Sequence, residues 1–158
     1  MLRFLLRILR VLPLWVHILG ARILRPRYQV AVAAIIFDEE GRILLLKHTY
    51  RKFEWGLPAG GLEHGEKPED AVVREFHEET GLEIRVEKML MATSTAEYPH
   101  VSLIYLCRVA GGEFRPSLEV SEMRYFHLDQ LPAMLFAEKD LIRDAAELVK
   151  AVPENELA

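Results

Sequence analysis

The chain is poor in cysteine: Cys107 is the single one among 158 residues, so no intrachain disulfide can form. It lies in an apolar, strand-like run, and we expect a buried structural thiol in a reducing compartment rather than a nucleophile. The sequence also lacks internal repeats, linkers and low-complexity stretches. At this length, with 51% apolar residues, it predicts one domain with a substantial core and excludes two domains of ordinary size.

Long hydrophobic runs are missing as well. The longest uncharged run near the start, residues 11–21, is well short of the roughly 20 residues that a membrane-spanning helix needs. Arg7 and Arg10 interrupt the apolar start and no small-residue cleavage site follows, which argues against a secretory signal. We therefore expect a cytoplasmic protein, with peripheral contact at a membrane left open.

Acidic residues are absent from the first 27 residues, which carry six arginines, whereas the whole chain has a net charge of −4. The body after this segment is therefore strongly acidic, which argues against nucleic acid as a partner. At helical spacing, residues 1–25 place a basic stripe on an otherwise apolar surface, and Pro13 is expected to divide them into two helices. Such an amphipathic helical arm, residues 1–27, suits either contact with a membrane surface or packing on its own domain or in a homodimer.

Residues 60–82 carry the clearest pattern in the chain and predict a loop followed by a helix. Pro68 suits the first turn of a helix, and Glu69 and Asp70 follow where the helix dipole favours anions. Gly81 is the residue type best able to adopt the left-handed conformation that ends a helix.

Three acids on this helix are unfavourable for the helix itself. Glu75, Glu78 and Glu79 fall within a sector of roughly 100°. Glu75 and Glu79 form a like-charge pair one turn apart, costing about 0.2–0.5 kcal/mol, and Glu78 and Glu79 sit at the end that disfavours anions. A bound divalent cation would compensate, since Mg²⁺ prefers oxygen ligands. By themselves, three glutamates are more typical of a solvated acidic helix face than of a metal site.

The full stretch resembles the Nudix box, the signature of the Nudix hydrolase family. The match is complete at its specified positions, which are Gly60, Glu66, Arg74, Glu75, Phe76, Glu78, Glu79, Gly81 and Leu82.

The resemblance implies hydrolysis of a nucleoside diphosphate linked to a further group, with Mg²⁺ or Mn²⁺ as cofactor. It implies Glu75, Glu78 and Glu79 as metal ligands, together with the backbone carbonyl of Ala59. A cation that bridges phosphate oxygens acts as a Lewis acid towards a pyrophosphate and makes a bound water easier to deprotonate.

Further roles carry over with the box. Arg74 is expected to orient a carboxylate through its planar fork, and Glu66 to reach back from the loop towards the helix. The general base of the family often lies in a later loop, where Glu119 and Glu122 are candidates, although either also suits a solvated loop acid. We predict catalytic roles for Glu66, Arg74, Glu78 and Glu122.

Arg51, Tyr98 and Glu119 are the predicted substrate contacts. Arg51 precedes the box in a loop that could meet a base or a phosphate, and Tyr98 could stack on a base. Structural roles, covering a sheet edge or packing in a sheet, remain open for both. In the family, a tyrosine shortly after the box marks dinucleoside polyphosphate hydrolases and a proline marks ADP-ribose hydrolases. Tyr98 and Pro99 stand side by side, so the marker decides nothing.

The substrate expected is a nucleoside diphosphate linked to another moiety, such as ADP-ribose or a nucleotide sugar. Alternatives are dinucleoside polyphosphates, nucleoside triphosphates in a sanitising reaction, or a non-catalytic nucleotide-binding regulator. An isopentenyl diphosphate isomerase would need a catalytic cysteine in a defined motif, and Cys107 sits in none.

The remaining pattern predicts an α/β fold. Strands are expected in residues 28–37, 42–48, 82–91, 100–109 and 119–128, the first two as a hairpin, and a last helix in 137–152. The resemblance implies an α/β/α sandwich with a mixed β-sheet over residues 28–152. Residues 153–158 are expected to fray.

Overall fold

A computed structural model describes residues 13, 15, 27–95 and 99–151. Most of the predicted arm lies outside these residues, as do Tyr98 and the predicted frayed end. Within the described part of the chain, no helix combines the length and the apolar character needed to cross a bilayer.

Within residues 27–95 and 99–151, seven strands and two helices form two sheets with helices on their faces. The strands are β1 (Gln29–Ile35), β2 (Ile43–His48), β3 (Trp55–Gly56), β4 (Ala59–Gly61), β5 (Leu82–Thr95), β6 (His100–Gly112) and β7 (Val120–Phe126), and the helices are α1 (Pro68–Thr80) and α2 (Phe136–Lys150). One sheet has the order β4-β1-β6-β5 and the other β3-β2-β7. Because β1 pairs parallel with β6 and antiparallel with β4, the predicted mixed α/β architecture is confirmed.

Strand β1 divides the core into two layers by the alternation of its side chains. Val32 and Ala34 face the layer that holds α1, with Phe76 at its centre. Ala33 and Ile35 face the layer that holds α2. The uninterrupted apolar run of this strand therefore reflects burial on both faces.

The predicted turn after β1 forms, but the predicted hairpin does not. Asp38 Oδ1 accepts the backbone N–H of Arg42 at 2.9 Å, and its Oδ2 accepts Arg42 Nε at 2.7 Å. A single bridge between Phe37 and Ile43 then joins the two strands. They separate because β1 is occupied by β4 and β6 on its two edges, so β2 pairs with β3 and β7 instead.

Helix α1 begins and ends where the sequence predicts. Pro68 is its first residue, and Gly81 has φ 72° with its N–H donated to the His77 carbonyl at 2.7 Å. Helical spacing predicts that Val73 and Phe76 face the core, away from the three glutamates. Phe76 is buried, whereas Val73 is only partly buried.

Helix α2 forms close to its predicted bounds. The sequence pattern predicts an apolar side made of Leu141, Ala145, Leu148 and Val149. Ala145 is buried, but Leu148 is 41% exposed and Ile142 takes the central buried position. Leu141 and Val149 flank that core at partial burial.

Candidate active site

The α1 helix crosses the end of β4 at close range. A Cβ atom at Gly60 would overlap the carboxylate of Glu75, so any larger residue at this strand position must displace that carboxylate. The close approach places a carboxylate against the backbone of an edge strand.

Strand β4 has one free edge, because it pairs with β1 on one side only. The Pro58 carbonyl and the Leu62 N–H bond to the β1 side at 2.9 and 3.0 Å. In an antiparallel pair these bonds alternate along the strand, so the backbone groups of Ala59 and Gly61 point away from β1, towards α1. The Gly61 carbonyl there accepts Arg74 Nη2 at 3.0 Å.

Arg74 is the centre of an ion-pair network at this edge. Its Nε and Nη2 donate to the two oxygens of Glu66 at 2.8 and 3.0 Å, a bidentate pair. Its Nη1 lies 2.9 Å from Glu75 Oε1 and 3.3 Å from Glu78 Oε2. Glu66 also accepts the backbone N–H of Glu63 at 3.2 Å, and its bonds to Arg74 lower the pKa of the Glu66 carboxyl. Arg74 thus joins the loop residue Glu66 to the helix carboxylates of Glu75 and Glu78.

Glu79 is the buried carboxyl of the site, with 5% of the residue exposed. Burial raises the pKa of Glu79 to about 8, and the negative charge of Glu75 adds to the rise. Arg51 and a hydrogen bond from the Ala59 backbone N–H oppose this rise. Among the described residues nothing hydrogen-bonds to Glu79 Oε2. A buried acceptor without a partner is costly and is typical of a functional site.

The oxygen atoms around Glu79 are of the kind that a hard cation such as Mg²⁺ binds. Glu75 and Glu78 form ion pairs with Arg74, whereas Glu79 faces Ala59. Within the described ranges, no three acidic, histidine or cysteine side chains therefore converge on one point. Mg²⁺ is usually held by one or two carboxylates plus waters and substrate phosphates. The free oxygen of Glu79, the Glu75 carboxylate and the Ala59 carbonyl at the strand edge offer that partial oxygen set. The Glu78 side chain is 60% exposed at the rim.

The structure separates the two candidate bases. The charge of Glu119 acts on Glu79, and the Glu119 carbonyl accepts the Thr49 N–H at 2.9 Å, so this loop borders the site. Glu122 instead pairs with Lys47 across the sheet and forms an ion pair with Arg124. Lys47 shares its face of β2 with Leu45 in the α2 layer, so the structure does not bring Glu122 to the box helix.

Arg51, from the loop between β2 and β3, is a positive charge that acts on Glu79. Its charge lowers the pKa of Glu79, while its Nη1 lies 3.6 Å from Glu138 Oε1 at the start of α2. A Cβ at Gly56 would meet Arg51 Nη1 at 2.9 Å and both Glu138 oxygens at 3.3 Å. This pair thus packs directly over a bare backbone position.

Sequence reasoning missed two neighbours of this site. Glu138 stands on a helix with ordinary solvated acids, and no local signal distinguishes it. His48 is 1% exposed, and neither ring nitrogen has a hydrogen bond of normal geometry to a described residue. Burial, together with the charge of Arg51, lowers the pKa of His48 to about 4 despite an opposing attraction to the Leu57 carbonyl. A histidine at the end of an apolar strand was the available signal.

Cys107 is a structural thiol, as predicted. It is 2% exposed, and burial raises its pKa to about 12. Because the reactive form of cysteine is the thiolate, this residue is unsuited to nucleophilic chemistry.

Comparison with known proteins agrees with the box. The family model of the NUDIX domain matches residues 27–151. The chain is 37% identical over 121 residues to an ADP-ribose pyrophosphatase of Methanocaldococcus jannaschii, covering 73% of this chain and 71% of that one.

Solved structures share the fold. An ADP-ribose pyrophosphatase from Streptococcus suis matches with a TM-score of 0.70 at 26% identity, over 79% of this chain and 94% of that one. A MutT NUDIX hydrolase from Burkholderia pseudomallei matches with a TM-score of 0.64 at 32% identity, over 78% of this chain and 98% of that one. The chain belongs to the Nudix family and is a Nudix hydrolase.

Proposed function

We propose that this enzyme hydrolyses the pyrophosphate bond of a nucleoside diphosphate linked to another moiety, with ADP-ribose as the first candidate, using Mg²⁺ or Mn²⁺. The observation that carries the proposal is the buried Glu79 carboxyl, whose Oε2 has no hydrogen-bond partner among the described residues. The similarity to two ADP-ribose pyrophosphatases supports the choice of substrate.

Glu79, Glu75 and the Ala59 carbonyl would hold the metal, with Glu78 available at the rim. The bound ion would supply Lewis-acid activation of the diphosphate and a more acidic water. Arg74 holds Glu75 by an ion pair of 2.9 Å, so the carboxylate is positioned before substrate binds.

Two residues outside the helix complete the proposed machinery. Glu119 lies on the loop beside Glu79 and is the better placed general base, able to take the proton of the attacking water. Arg51 supplies a positive charge on the same side, suited to the phosphates of the substrate. Tyr98 stays a predicted base contact.

A panel of substrates tests this proposal. Purified protein is incubated with ADP-ribose, ADP-glucose, GDP-mannose, diadenosine polyphosphates and nucleoside triphosphates, each with Mg²⁺, Mn²⁺ or EDTA, and products are separated by chromatography. We expect metal-dependent release of AMP from ADP-ribose. Absence of cleavage across the panel by folded protein would contradict the proposal.

Nucleoside triphosphates are the second candidate substrate. The similarity to the MutT NUDIX hydrolase and to a MutT-like protein of Streptomyces ambofaciens, 32% identical over 106 residues, favours them. Release of pyrophosphate from a triphosphate, with ADP-ribose left intact, would select this alternative.

The proposed arm, residues 1–27, can be tested separately. Its basic, apolar composition suits a membrane surface or a homodimer contact. Deleting residues 1–26 and measuring turnover, binding to anionic liposomes and molecular mass in solution distinguishes them. Lost liposome binding supports the membrane contact, and a halved mass supports the dimer.

A further inference from the structure

We propose that Glu138 is a positioning residue that holds Arg51 away from Glu79 and so keeps the metal-binding carboxylate free for its cation. This inference rests on the proposed function, since it concerns access to the same carboxylate. It assigns a role in the site to α2, which carries none of the box residues.

Arg51 interacts with two acids from different helices. Its charge acts on Glu79 in α1, and its Nη1 lies 3.6 Å from Glu138 Oε1 in α2. The side chains of Arg51 and Glu138 are 27% and 22% exposed, so their pairing is only partly screened by water.

Glu79 is buried with one carboxylate oxygen left without a donor from the described residues. This carboxyl is more deeply buried than Glu138, and its Oε2 is an acceptor without a hydrogen-bond donor among the described residues. A guanidinium carries five N–H donors and would satisfy that oxygen if it could reach it. Arg51 is instead paired with the acid on α2.

Arg51 and Glu138 pack together against the backbone of β3 at Gly56. Gly56 leaves the space into which Arg51 Nη1 and both Glu138 oxygens pack, at 2.9 and 3.3 Å from where a Cβ would stand. Glu138 therefore meets Arg51 directly against the backbone of β3. Removing its charge would free the guanidinium to move to the remaining acid, Glu79, where it would compete with a cation.

The test measures Mn²⁺ binding to metal-free protein in the absence of substrate. The electron paramagnetic resonance signal of free Mn²⁺ reports how much of the ion remains unbound. We expect Glu138→Gln to weaken Mn²⁺ binding by about fivefold or more, the scale of a partly buried ion pair. Arg51→Met combined with Glu138→Gln should restore wild-type affinity, because the competing cation is gone. Glu147→Gln is the matched control, since Glu147 is an exposed acid of the same helix paired with Lys150.

Each result decides the proposal. Wild-type affinity in Glu138→Gln, an equal loss in Glu147→Gln, or a double variant as weak as Glu138→Gln would each overturn it. If Glu138→Gln does not fold, Arg51→Met alone decides: binding at least as tight as wild type is expected, and weaker binding overturns the role. Glu79→Gln separates the two levels, because an unchanged Mn²⁺ affinity in that variant would mean that the proposed metal site itself is wrong.

Discussion

The carboxylate of Glu75 occupies the space directly above the α-carbon of Gly60, where any other residue would place its Cβ. The end of the Glu75 side chain from helix α1 therefore lies directly against the backbone of strand β4. The position of the Glu75 carboxylate thus depends on the absence of a side chain at Gly60.

Gly60→Ala should reduce activity strongly while the fold is largely kept. The added methyl group must displace the Glu75 carboxylate, and with it a proposed metal ligand, so we expect turnover to fall by about tenfold or more. Gly61→Ala is the matched control, because a Cβ there meets no atom within 4 Å. Equal activity of both variants would show that the position of Glu75 does not matter for turnover.

Glu79→Gln should abolish metal-dependent turnover and stabilise the metal-free protein at alkaline pH. The pKa of Glu79 is raised to about 8 from an ordinary 4.5, so the folded state holds a proton that the unfolded state releases between these values. Wild-type stability therefore falls as pH rises from 4.5 through 8, by on the order of 5 kcal/mol, and the neutral amide avoids this loss.

Thermal unfolding in EDTA at pH 5 and pH 9 measures this effect. We expect the Tm of Glu79→Gln to exceed that of wild type at pH 9 and to approach it at pH 5. A variant that is less stable than wild type at pH 9 would contradict the assigned burial of the charge.

Arg74→Lys should lower turnover even though the positive charge is kept. A lysine cannot reproduce the two parallel bonds to Glu66 at 2.8 and 3.0 Å while also holding Glu75, so both carboxylates lose their orientation. We expect a loss of about tenfold in kcat with a smaller change in KM. Arg143→Lys, at an exposed pair with Asp140, is the control and should behave as wild type.

Glu119→Gln and Glu122→Gln should have unequal effects on the reaction. Glu119 borders Glu79, whereas Glu122 pairs with Arg124 on the face towards α2. We expect Glu119→Gln to reduce kcat by about 100-fold, the usual contribution of a general base, and Glu122→Gln to leave it near wild type. Steady-state kinetics over pH 6–9 measures both, and a larger loss in Glu122→Gln would transfer the role to that residue.

His48→Leu should make the protein less sensitive to acid. The pKa of His48 is lowered to about 4, mainly by burial, so the folded state keeps the ring neutral while the unfolded state takes up a proton below about 6.5. Wild type therefore loses roughly 1–3 kcal/mol of stability as pH falls from 6.5 towards 4. Urea unfolding at pH 7 and pH 4.5 should show a smaller loss for His48→Leu, and the exposed His64→Leu should follow wild type.

The sequence alone predicted α1 with its first residue and its terminating glycine, because proline and glycine act through local backbone restrictions. The family resemblance implied that Arg74 orients a carboxylate, and the structure pairs this arginine with Glu66, Glu75 and Glu78. Five strands were recognised from their apolar runs, but the short β3 and β4 before the box were not, and neither were the strand partners. The turn after β1 is a local feature, whereas the division into two sheets depends on pairing with β6, far away in the chain.

Tertiary structure decided where each of the three helix glutamates lies and how exposed it is. Glu75, Glu78 and Glu79 are equivalent on a helical wheel, yet packing buries Glu79, covers Gly60 with Glu75 and leaves Glu78 exposed. The burial of a charge depends on neighbours brought from other elements, which no local spacing encodes. For the same reason the sequence could not reveal that Glu138, on the last helix, faces Arg51 before the box: only the fold brings these two side chains together.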